Sequence, residues 1–144
     1  MEAFKIEHFI RDNPDKKFPQ FVSLDSDQSN KIHRKLSDKL RIAHPPEKVV
    51  KKLKAMGFYI EDDNAESEGF ILKKIFEKVG IYPQEKVYIN WHHFDDIDQM
   101  GFDDLSTYFD EIWYPGSDDI DIFDATFSWV LSVHHDGSIQ VVKQ

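Results

Sequence analysis

The hydrophobic pattern of this chain changes its period after Lys86. Before that residue, apolar side chains such as Ile32, Leu36 and Leu40 recur at the spacing of an amphipathic helix. After it, short stretches alternate apolar and polar residues, as strands with one buried face do. The 144 residues are enough for one domain, so the pattern predicts a helical part over about 1–86 and a sheet-rich part over about 87–144 within a single domain.

Three helices are predicted in the first part from residues that suit their starts and ends. Ser29 can cap the first helix, and Pro45 with Pro46 ends it, because proline interrupts helical hydrogen bonding. Pro46 also suits the first turn of the second helix, while Gly57 and Gly80 end the second and third helices. The residues expected to face the core on these two helices are Val49, Val50, Leu53, Met56, Phe70, Ile71, Ile75 and Val79.

The second part is predicted to form an antiparallel sheet. Asp136 and Gly137 lie between two apolar stretches and are typical of a tight hairpin turn. Strands that are joined by short turns run antiparallel. The predicted fold class is therefore α+β, with a sheet of about four strands in the C-terminal part that packs on one face against the N-terminal helices.

Alternation along the first hairpin strand separates its side chains into two sets, because successive residues point to opposite faces of a sheet. The set predicted to face the core is Phe127, Trp129, Leu131 and Val133. The outer set is Ser128, Val130, Ser132 and His134, joined by Asp119 and Asp121 from the neighbouring strand. An outer face of this kind is either a solvated surface or a site.

Asp119, Asp121 and His134 are the candidate catalytic residues on that outer face. Two carboxylates beside an imidazole can bind a divalent metal and act on phosphate esters or nucleotides. His92 or His93 would complete a zinc or manganese site if the two strands cooperate. Each His-His pair equally suits one half-buried ring and one exposed ring, and the sequence holds no zinc-binding motif such as HExxH.

The stretch GSDDIDIFD also resembles the signature of nucleotidyltransferases. In that family a Gly-Ser turn holds phosphate and two carboxylates spaced as Asp-x-Asp bind metal, and Gly116, Ser117, Asp119 and Asp121 match these positions. The chain departs from the family because no helical turn separates the Gly-Ser from the carboxylates, and because no third carboxylate follows on an adjacent strand.

Charge is distributed unevenly along the chain. The whole sequence has 18 basic and 27 acidic side chains and a formal net charge of -9. Residues 1–86 carry +2 and residues 87–144 carry -11. A negative protein repels nucleic acid and anionic lipid and attracts basic partners, so we expect a basic protein partner and no binding to nucleic acid or membranes.

Several classes of protein are disfavoured by what the sequence does not contain. It has no cysteine, which excludes disulfides, thiolate catalysis and cysteine-based metal sites. The Gly-rich, Walker and GxSxG motifs of nucleotide-binding proteins and esterases are not present either, so no cofactor and no resident metal are expected. The pattern of a signal peptide or of a membrane helix is not found, and a cytoplasmic, bacterial protein is the expectation.

The acidic stretch that follows residue 95 contains aromatic residues, as protein interfaces do. Carboxylates steer a basic partner and raise its association rate, while Trp and Tyr supply much of the binding energy. Trp113 and Tyr114 precede a Pro-Gly turn and are expected to be exposed, whereas Trp91 and Trp129 are expected in the core. The predicted partner-binding residues are Asp110, Glu111, Trp113, Tyr114, Asp118, Asp119 and Asp121.

The segment YFDEIWYPGSDDIDIFDATFSWVLSVHHDGSI resembles segments of small acidic bacterial proteins. In size, charge and lack of a catalytic motif, the chain is similar to immunity proteins that neutralise polymorphic toxins. This resemblance implies that the acidic face blocks a basic nuclease by occupying its phosphate-binding surface. Metal-dependent catalysis through Asp119, Asp121 and His134 is the alternative.

Overall fold

A single antiparallel sheet runs through the protein in the computed structural model, which describes residues 1–42 and 46–144. Its strands are β1 (Phe21–Ser23), β2 (Phe58–Tyr59), β3 (Lys86–Trp91), β4 (Ile97–Gly101), β5 (Ile120–Phe123), β6 (Trp129–Val133) and β7 (Ile139–Lys143). They are arranged in the order β1-β4-β3-β5-β6-β7-β2. The predicted α+β class with an antiparallel sheet is confirmed.

The sheet has seven strands in the described part of the chain, so the prediction of about four is wrong. The strands that were not predicted are β1, β2 and β4. β1 and β2 contain only three and two residues, which is too short for an alternating pattern to be visible. Both come from the part predicted to be helical, and they form the two edges of the sheet, where pairing with β4 and β7 stabilises them.

The helices are α1 (Ala3–Asp12), α2 (Ser26–Leu40), α3 (Pro46–Met56), α4 (Leu72–Val79), α5 (Phe102–Thr107) and α6 (Phe109–Ile112). Asp25, rather than Ser29, caps α2, because its carboxylate accepts a hydrogen bond from the Gln28 backbone N–H at 2.8 Å. Ser29 is buried one turn later. Gly80 ends α4 in the left-handed conformation, at φ 72°, as predicted. The predicted helix end at Pro45 lies outside the described residues.

Two side chains that were expected in the core are on the surface. Met56 is 42% exposed because it is the last residue of α3, and Ile71 is 44% exposed because α4 begins only at Leu72. Ile71 therefore precedes the helix, in an extended conformation, and does not share the buried side of α4. The other predicted core positions of these helices are at least partly buried.

Helices cover both faces of the sheet. Trp129, Leu131 and Val133 point to one face, here called the first face, and pack with α4, α5 and α6 in the larger apolar cluster. Val130 points to the opposite, second face and is 1% exposed, because it packs under α2 and α3 in a separate cluster. Helices were predicted on one face only, so that prediction is wrong, and of the two alternatives for the outer face the solvated surface does not hold.

Phe127 departs from the predicted alternation. It precedes β6 and adopts a left-handed φ of 52°, so its ring packs beside Tyr88 and Phe123 on the second face rather than with Trp129 on the first. The predicted hairpin turn is confirmed, since the Gly137 N–H donates to the His134 carbonyl at 2.8 Å. Within the described ranges, no helix is long and apolar enough to cross a membrane.

Candidate functional site

The residues predicted to bind a partner occupy three different environments. Trp113 and Asp118 are buried at 2% and 3% exposure. Asp119 and Asp121 lie in a small cleft on the second face. Asp110, Glu111 and Tyr114 remain on or near the surface. The structure therefore divides the predicted interface into three parts: a buried support (Trp113 and Asp118), a cleft (Asp119 and Asp121) and a surface (Asp110, Glu111 and Tyr114).

The buried support is an ion pair between Lys5 of α1 and Asp118. Both side chains are almost fully buried, and the Lys5 ammonium also donates a hydrogen bond to the Ile112 carbonyl at 2.7 Å. The same ammonium lies 4.5 Å from the ring centres of Trp91 and Tyr114, where the electron-rich ring faces stabilise it further. The buried positive charge of Lys5 is therefore balanced by a carboxylate, a carbonyl and two ring faces, and a charge is buried without a large energetic cost only when it is paired in this way.

Trp113 is part of this support and not an exposed anchor, so the expectation of its exposure is wrong. Its indole N–H donates to the Asp118 carbonyl at 2.9 Å, and its ring stacks on Phe109 inside the core. Trp91 and Trp129 are buried as predicted. The sequence did not reveal that Asp118 pairs with Lys5, because the two residues are 113 positions apart.

Two further acidic residues of the predicted interface region are buried. Asp98 is 0% exposed and accepts hydrogen bonds from the Trp91 indole at 2.9 Å and the Ser23 hydroxyl at 2.6 Å. Asp124 is 1% exposed and accepts hydrogen bonds from the backbone N–H groups of Gln84 and Thr126. Part of the acidic excess of the C-terminal half therefore organises the interior and is not available to a partner.

The cleft on the second face brings together the candidate catalytic residues. It has a volume of about 100 Å³ and lies between α3 and the ends of β3, β5 and β6. The polar residues that line it are Lys54, His92, His93, Asp119, Asp121, Ser132 and His134. The alternation of β5 and β6 correctly predicted that Asp119, Asp121, Ser132 and His134 share a face.

Asp121 is fixed at the floor of this cleft. Its two oxygens accept hydrogen bonds from the Ser132 hydroxyl at 2.5 Å and the Asn90 amide at 2.9 Å, and these residues lie opposite it in the sheet register. Burial raises the pKa of the Asp121 carboxyl, although both hydrogen bonds oppose that shift. Because both oxygens are already engaged, Asp121 is placed to hold the strands together more than to bind a ligand.

Asp119 lies at the centre of a group of histidines. It accepts hydrogen bonds from the His135 backbone N–H at 2.8 Å and the His135 ring at 3.0 Å, while the Nδ1 atoms of His92 and His134 lie 3.9 Å from its oxygens. Partial burial alone would raise the pKa of Asp119, but the hydrogen bonds and the charge of His135 outweigh it and the pKa is lowered. Asp119 is therefore a carboxylate at neutral pH.

His134 presents a defined nitrogen to Asp119. The Gln140 amide N–H group donates to the carbonyls of Lys54 and Gly57, so its oxygen is left to accept from His134 Nε2 at 2.8 Å. Nε2 therefore carries a proton, and Nδ1 is the ring nitrogen that faces Asp119.

Asn90 and Gln140 position this cleft and were not singled out from the sequence. Asn90 is 0% exposed and holds the loop after β3, because its amide N–H donates to the His92 carbonyl at 3.1 Å and its amide oxygen accepts from the Phe94 backbone N–H at 2.7 Å. That loop has left-handed φ angles of 73° at His92 and 63° at Phe94, which cost energy in residues with a Cβ. The feature of the sequence that could have indicated a role for Asn90 is its polar amide within the otherwise apolar stretch VYINW.

The proposed metal site is not assembled. Among residues 1–42 and 46–144, no group of three or more His, Asp or Glu side chains is placed to hold a metal ion. The 3.9 Å separations of His92 and His134 from Asp119 exceed the roughly 3.4 Å expected between donors that share a tetrahedral zinc ion with bonds of about 2.1 Å. The hypothesis that His92 or His93 joins His134 and Asp119 around one metal therefore lacks the required geometry.

The surface that remains is formed by α1 and α6. Phe4 is 39% exposed and its ring packs edge-on against Tyr114 at 5.6 Å between centres, while the Tyr114 hydroxyl lies 3.1 Å from His8 Nδ1. We define the acidic surface as Phe4, Glu7, Asp110, Glu111 and Tyr114. Burial, together with carboxylates that include Glu111, raises the pKa of the Tyr114 hydroxyl, so it stays protonated.

The protein was compared with models of protein families, with curated proteins and with solved structures, and none of them matches this chain.

Proposed function

We propose that this chain is a non-enzymatic binding protein that uses its acidic surface to bind a basic protein, such as a toxin nuclease that it inhibits in the manner of an immunity protein. The observation that carries the proposal is the pair of aromatic rings, Phe4 and Tyr114, with the Glu111 carboxylate close enough to raise the pKa of the Tyr114 hydroxyl and with the exposed Asp110 preceding Glu111 on α6. Aromatic anchors with flanking charges are the composition from which protein interfaces draw their binding energy.

The charges of this surface are available to a partner. Among the ion pairs between described residues, none includes Asp110 or Glu111, and Glu111 receives a hydrogen bond from the neutral Asn13 amide at 2.8 Å. Surface carboxylates of this kind attract a basic partner over distances of about 8 Å at physiological salt. The acidic surface therefore provides both the steering and the anchors that such an interaction needs.

The aromatic anchors are also held in place before binding. The Tyr114 backbone N–H donates to Asp118 at 2.8 Å, and Asp118 is fixed in turn by Lys5. A side chain that is already ordered loses less conformational entropy when a partner binds, which increases affinity. The buried acids thus contribute to the proposed interface as positioning residues.

Charge reversal on the acidic surface tests this function. The variant Asp110→Lys/Glu111→Lys is expected to weaken capture of a basic protein from a lysate of the producing cells by at least about tenfold at about 50 mM salt, because two attractive charges become repulsive. The captured protein is identified by mass spectrometry, and its affinity for both forms is measured by calorimetry.

The matched control is Glu61→Lys/Glu66→Lys, which makes the same change of charge at two exposed positions outside the acidic surface. It is expected to retain the partner with affinity within about threefold of the original chain. Equal losses in the two double variants would show that only net charge matters and would contradict the proposal. Capture of no basic protein at all would also contradict it.

The second candidate function is a metal-dependent enzyme that acts on phosphate esters or nucleotides through Asp119, Asp121 and His134. It is favoured by the convergence of these residues on one cleft.

The melting temperature in the presence of metal tests this alternative. For a protein that binds no metal, the melting temperatures measured with EDTA and with millimolar Mn²⁺ or Zn²⁺ should agree within about 1 °C. An enzyme site filled to about 100 times its Kd would gain about 3 kcal/mol, or roughly 5–10 °C. A rise that Asp119→Asn abolishes would support the enzyme.

A further inference from the structure

The α2–α3 layer carries half of the positive charge of the protein. Residues 26–56, which span the two helices, contain nine of its 18 basic residues. These nine are all exposed, and we call them the basic layer: Lys31, Arg34, Lys35, Lys39, Arg41, Lys48, Lys51, Lys52 and Lys54.

The basic layer is not neutralised by its surroundings. Residues 26–56 contain only three acidic side chains, so the segment has a net charge of +6, while the rest of the chain has -15. Among the pairs of residues that the structure describes, no ion pair includes a member of the basic layer. Nine exposed cations, eight on the two helices and Arg41 directly after α2, therefore lie at the surface without an acidic partner in the described part of the chain.

The packing of the two helices explains why these charges share one side. Leu36 and Leu40 of α2 and Val49 and Leu53 of α3 are at most 4% exposed, because they pack onto the second face of the sheet. The other basic residues occupy the exposed sides of both helices, whereas Lys54 is exposed and also lines the cleft that contains Asp119. α2 therefore presents lysine and arginine, and α3 presents lysine, on the side of the protein that is covered by these two helices.

The acidic surface is too far from the basic layer to neutralise its positive charge. Phe109 and Ile112 of α6 pack on the first face of the sheet, whereas α2 and α3 pack on the second. The sheet and one helix, which is about 10 Å across, lie between the two outer surfaces. That separation exceeds the screening length of about 8 Å at physiological salt, so a ligand at the basic layer experiences mainly the local positive charge.

We propose that the basic layer binds the phosphate backbone of double-stranded nucleic acid. Nucleic-acid interfaces are polar and strongly positive, and lysine serves there as a point charge against phosphate. The layer has the length for several such contacts, since α2 has 15 residues and α3 has 11, or about 22 and 16 Å at 1.5 Å per residue.

Other anionic partners fit this layer less well. Lysine is depleted in protein–protein interfaces, which rely on aromatic anchors, and residues 26–56 contain no Phe, Tyr or Trp. The same lack of aromatic side chains disfavours single strands, whose bases stack on such rings. A lipid surface would require apolar residues for insertion, and apart from Ala55 and Met56 the apolar side chains described on these helices are buried or half-buried.

The local charge of the basic layer revises the expectation drawn from the net charge of -9. The net charge of the protein determines how strongly a charged ligand is attracted from a distance. A ligand in contact with the surface is attracted or repelled mainly by the charges within one screening length. The basic layer and the acidic surface lie on opposite sides of the sheet and are independent sites. Failure of the protein-binding proposal would therefore leave this one intact, and the reverse is also true.

The test is fluorescence anisotropy with a labelled duplex of about 20 base pairs, prepared once as RNA and once as DNA, between about 50 and 200 mM salt. We expect a Kd in the micromolar range at the lower salt, with affinity that falls steeply as salt is added, because cations released from the phosphates drive binding. The variant Lys35→Gln/Lys48→Gln/Lys51→Gln should weaken binding at least tenfold and reduce the salt slope by up to about 3.

The matched control is Lys16→Gln/Lys17→Gln/Lys74→Gln, which removes the same charge from exposed positions outside the basic layer. It should bind within about threefold of the original chain, and Asp110→Lys/Glu111→Lys should bind the duplex at least as well. Melting temperatures of all variants establish that they are folded.

Four results would overturn the proposal. They are no duplex binding at about 50 mM salt, equal losses in the two triple variants, tighter binding of the single strand than of the duplex, and binding to vesicles that contain phosphatidylserine in preference to the duplex. If only the RNA or only the DNA duplex binds, the proposal stands and the duplex form is identified.

Discussion

Replacement of Lys5 by methionine is expected to lower the free energy of unfolding by about 3–5 kcal/mol, because the buried Asp118 carboxylate loses its compensating charge. Methionine has a similar length and preserves most of the packing between Trp91 and Tyr114. The loss is therefore electrostatic in origin and is not caused by a cavity. Urea unfolding monitored by tryptophan fluorescence measures it.

The double variant Lys5→Met/Asp118→Asn separates the ion pair from the rest of the network. Without the carboxylate, no buried charge remains unpaired, so we expect the double variant to be more stable than Lys5→Met alone by about 1–3 kcal/mol. The amide oxygen introduced at position 118 can still accept the Tyr114 backbone N–H that Asp118 accepts in the original chain. A loss below about 1 kcal/mol in Lys5→Met would contradict the buried ion pair.

Val130→Asn is expected to destabilise the protein by about 3–4 kcal/mol. Val130 is 1% exposed under α2 and α3, so the substitution loses the burial of an apolar side chain, about 1.5 kcal/mol or more, and buries an amide without a partner at a cost of about 1–3 kcal/mol. If the second face of the sheet were solvated, the same substitution would change stability by less than about 0.5 kcal/mol. Urea unfolding distinguishes the two arrangements.

Val22→Asn is the matched control for this substitution. Val22 lies on the edge strand β1 and is 55% exposed, so an amide there remains in water. We expect a change within about 0.5 kcal/mol. Similar effects at the two positions would mean that α2 and α3 do not cover the second face, which would also remove the basis for treating the basic layer as an ordered surface.

The candidate cleft was predictable in part because strand alternation is a local property. Asp121 and Ser132 were expected on one face from the pattern of their own strands, and they form a hydrogen bond of 2.5 Å there. The same pattern left open whether this face is solvated, because alternation does not say what covers a face. On that side the alternating positions are Ser128, Val130, Ser132 and His134, and Val130 is the one apolar residue of the four. The sequence of this strand therefore suggests a polar face.

The acidic interface was predictable in charge but not in its residues. Asp118 and Asp110 look equivalent in the sequence, but Asp118 is buried against Lys5 while Asp110 is exposed. Whether a carboxylate faces a partner or the interior depends on which distant residue it meets. Phe4 belongs to the acidic surface for the same reason, because α1 packs against Tyr114 near the other end of the chain.

The sequence by itself determined the α+β class, the hairpin at Asp136 and Gly137 and the helix end at Gly80, since each depends on residues close together in the chain. Only the tertiary structure decided the number of strands, the coverage of both faces and the separation of charge into an acidic surface and a basic layer. These features arise from contacts between residues far apart in sequence, such as β2 with β7 and Lys5 with Asp118. Local patterns carry no information about such pairings, because the burial and compensation that stabilise them exist only after the chain has folded.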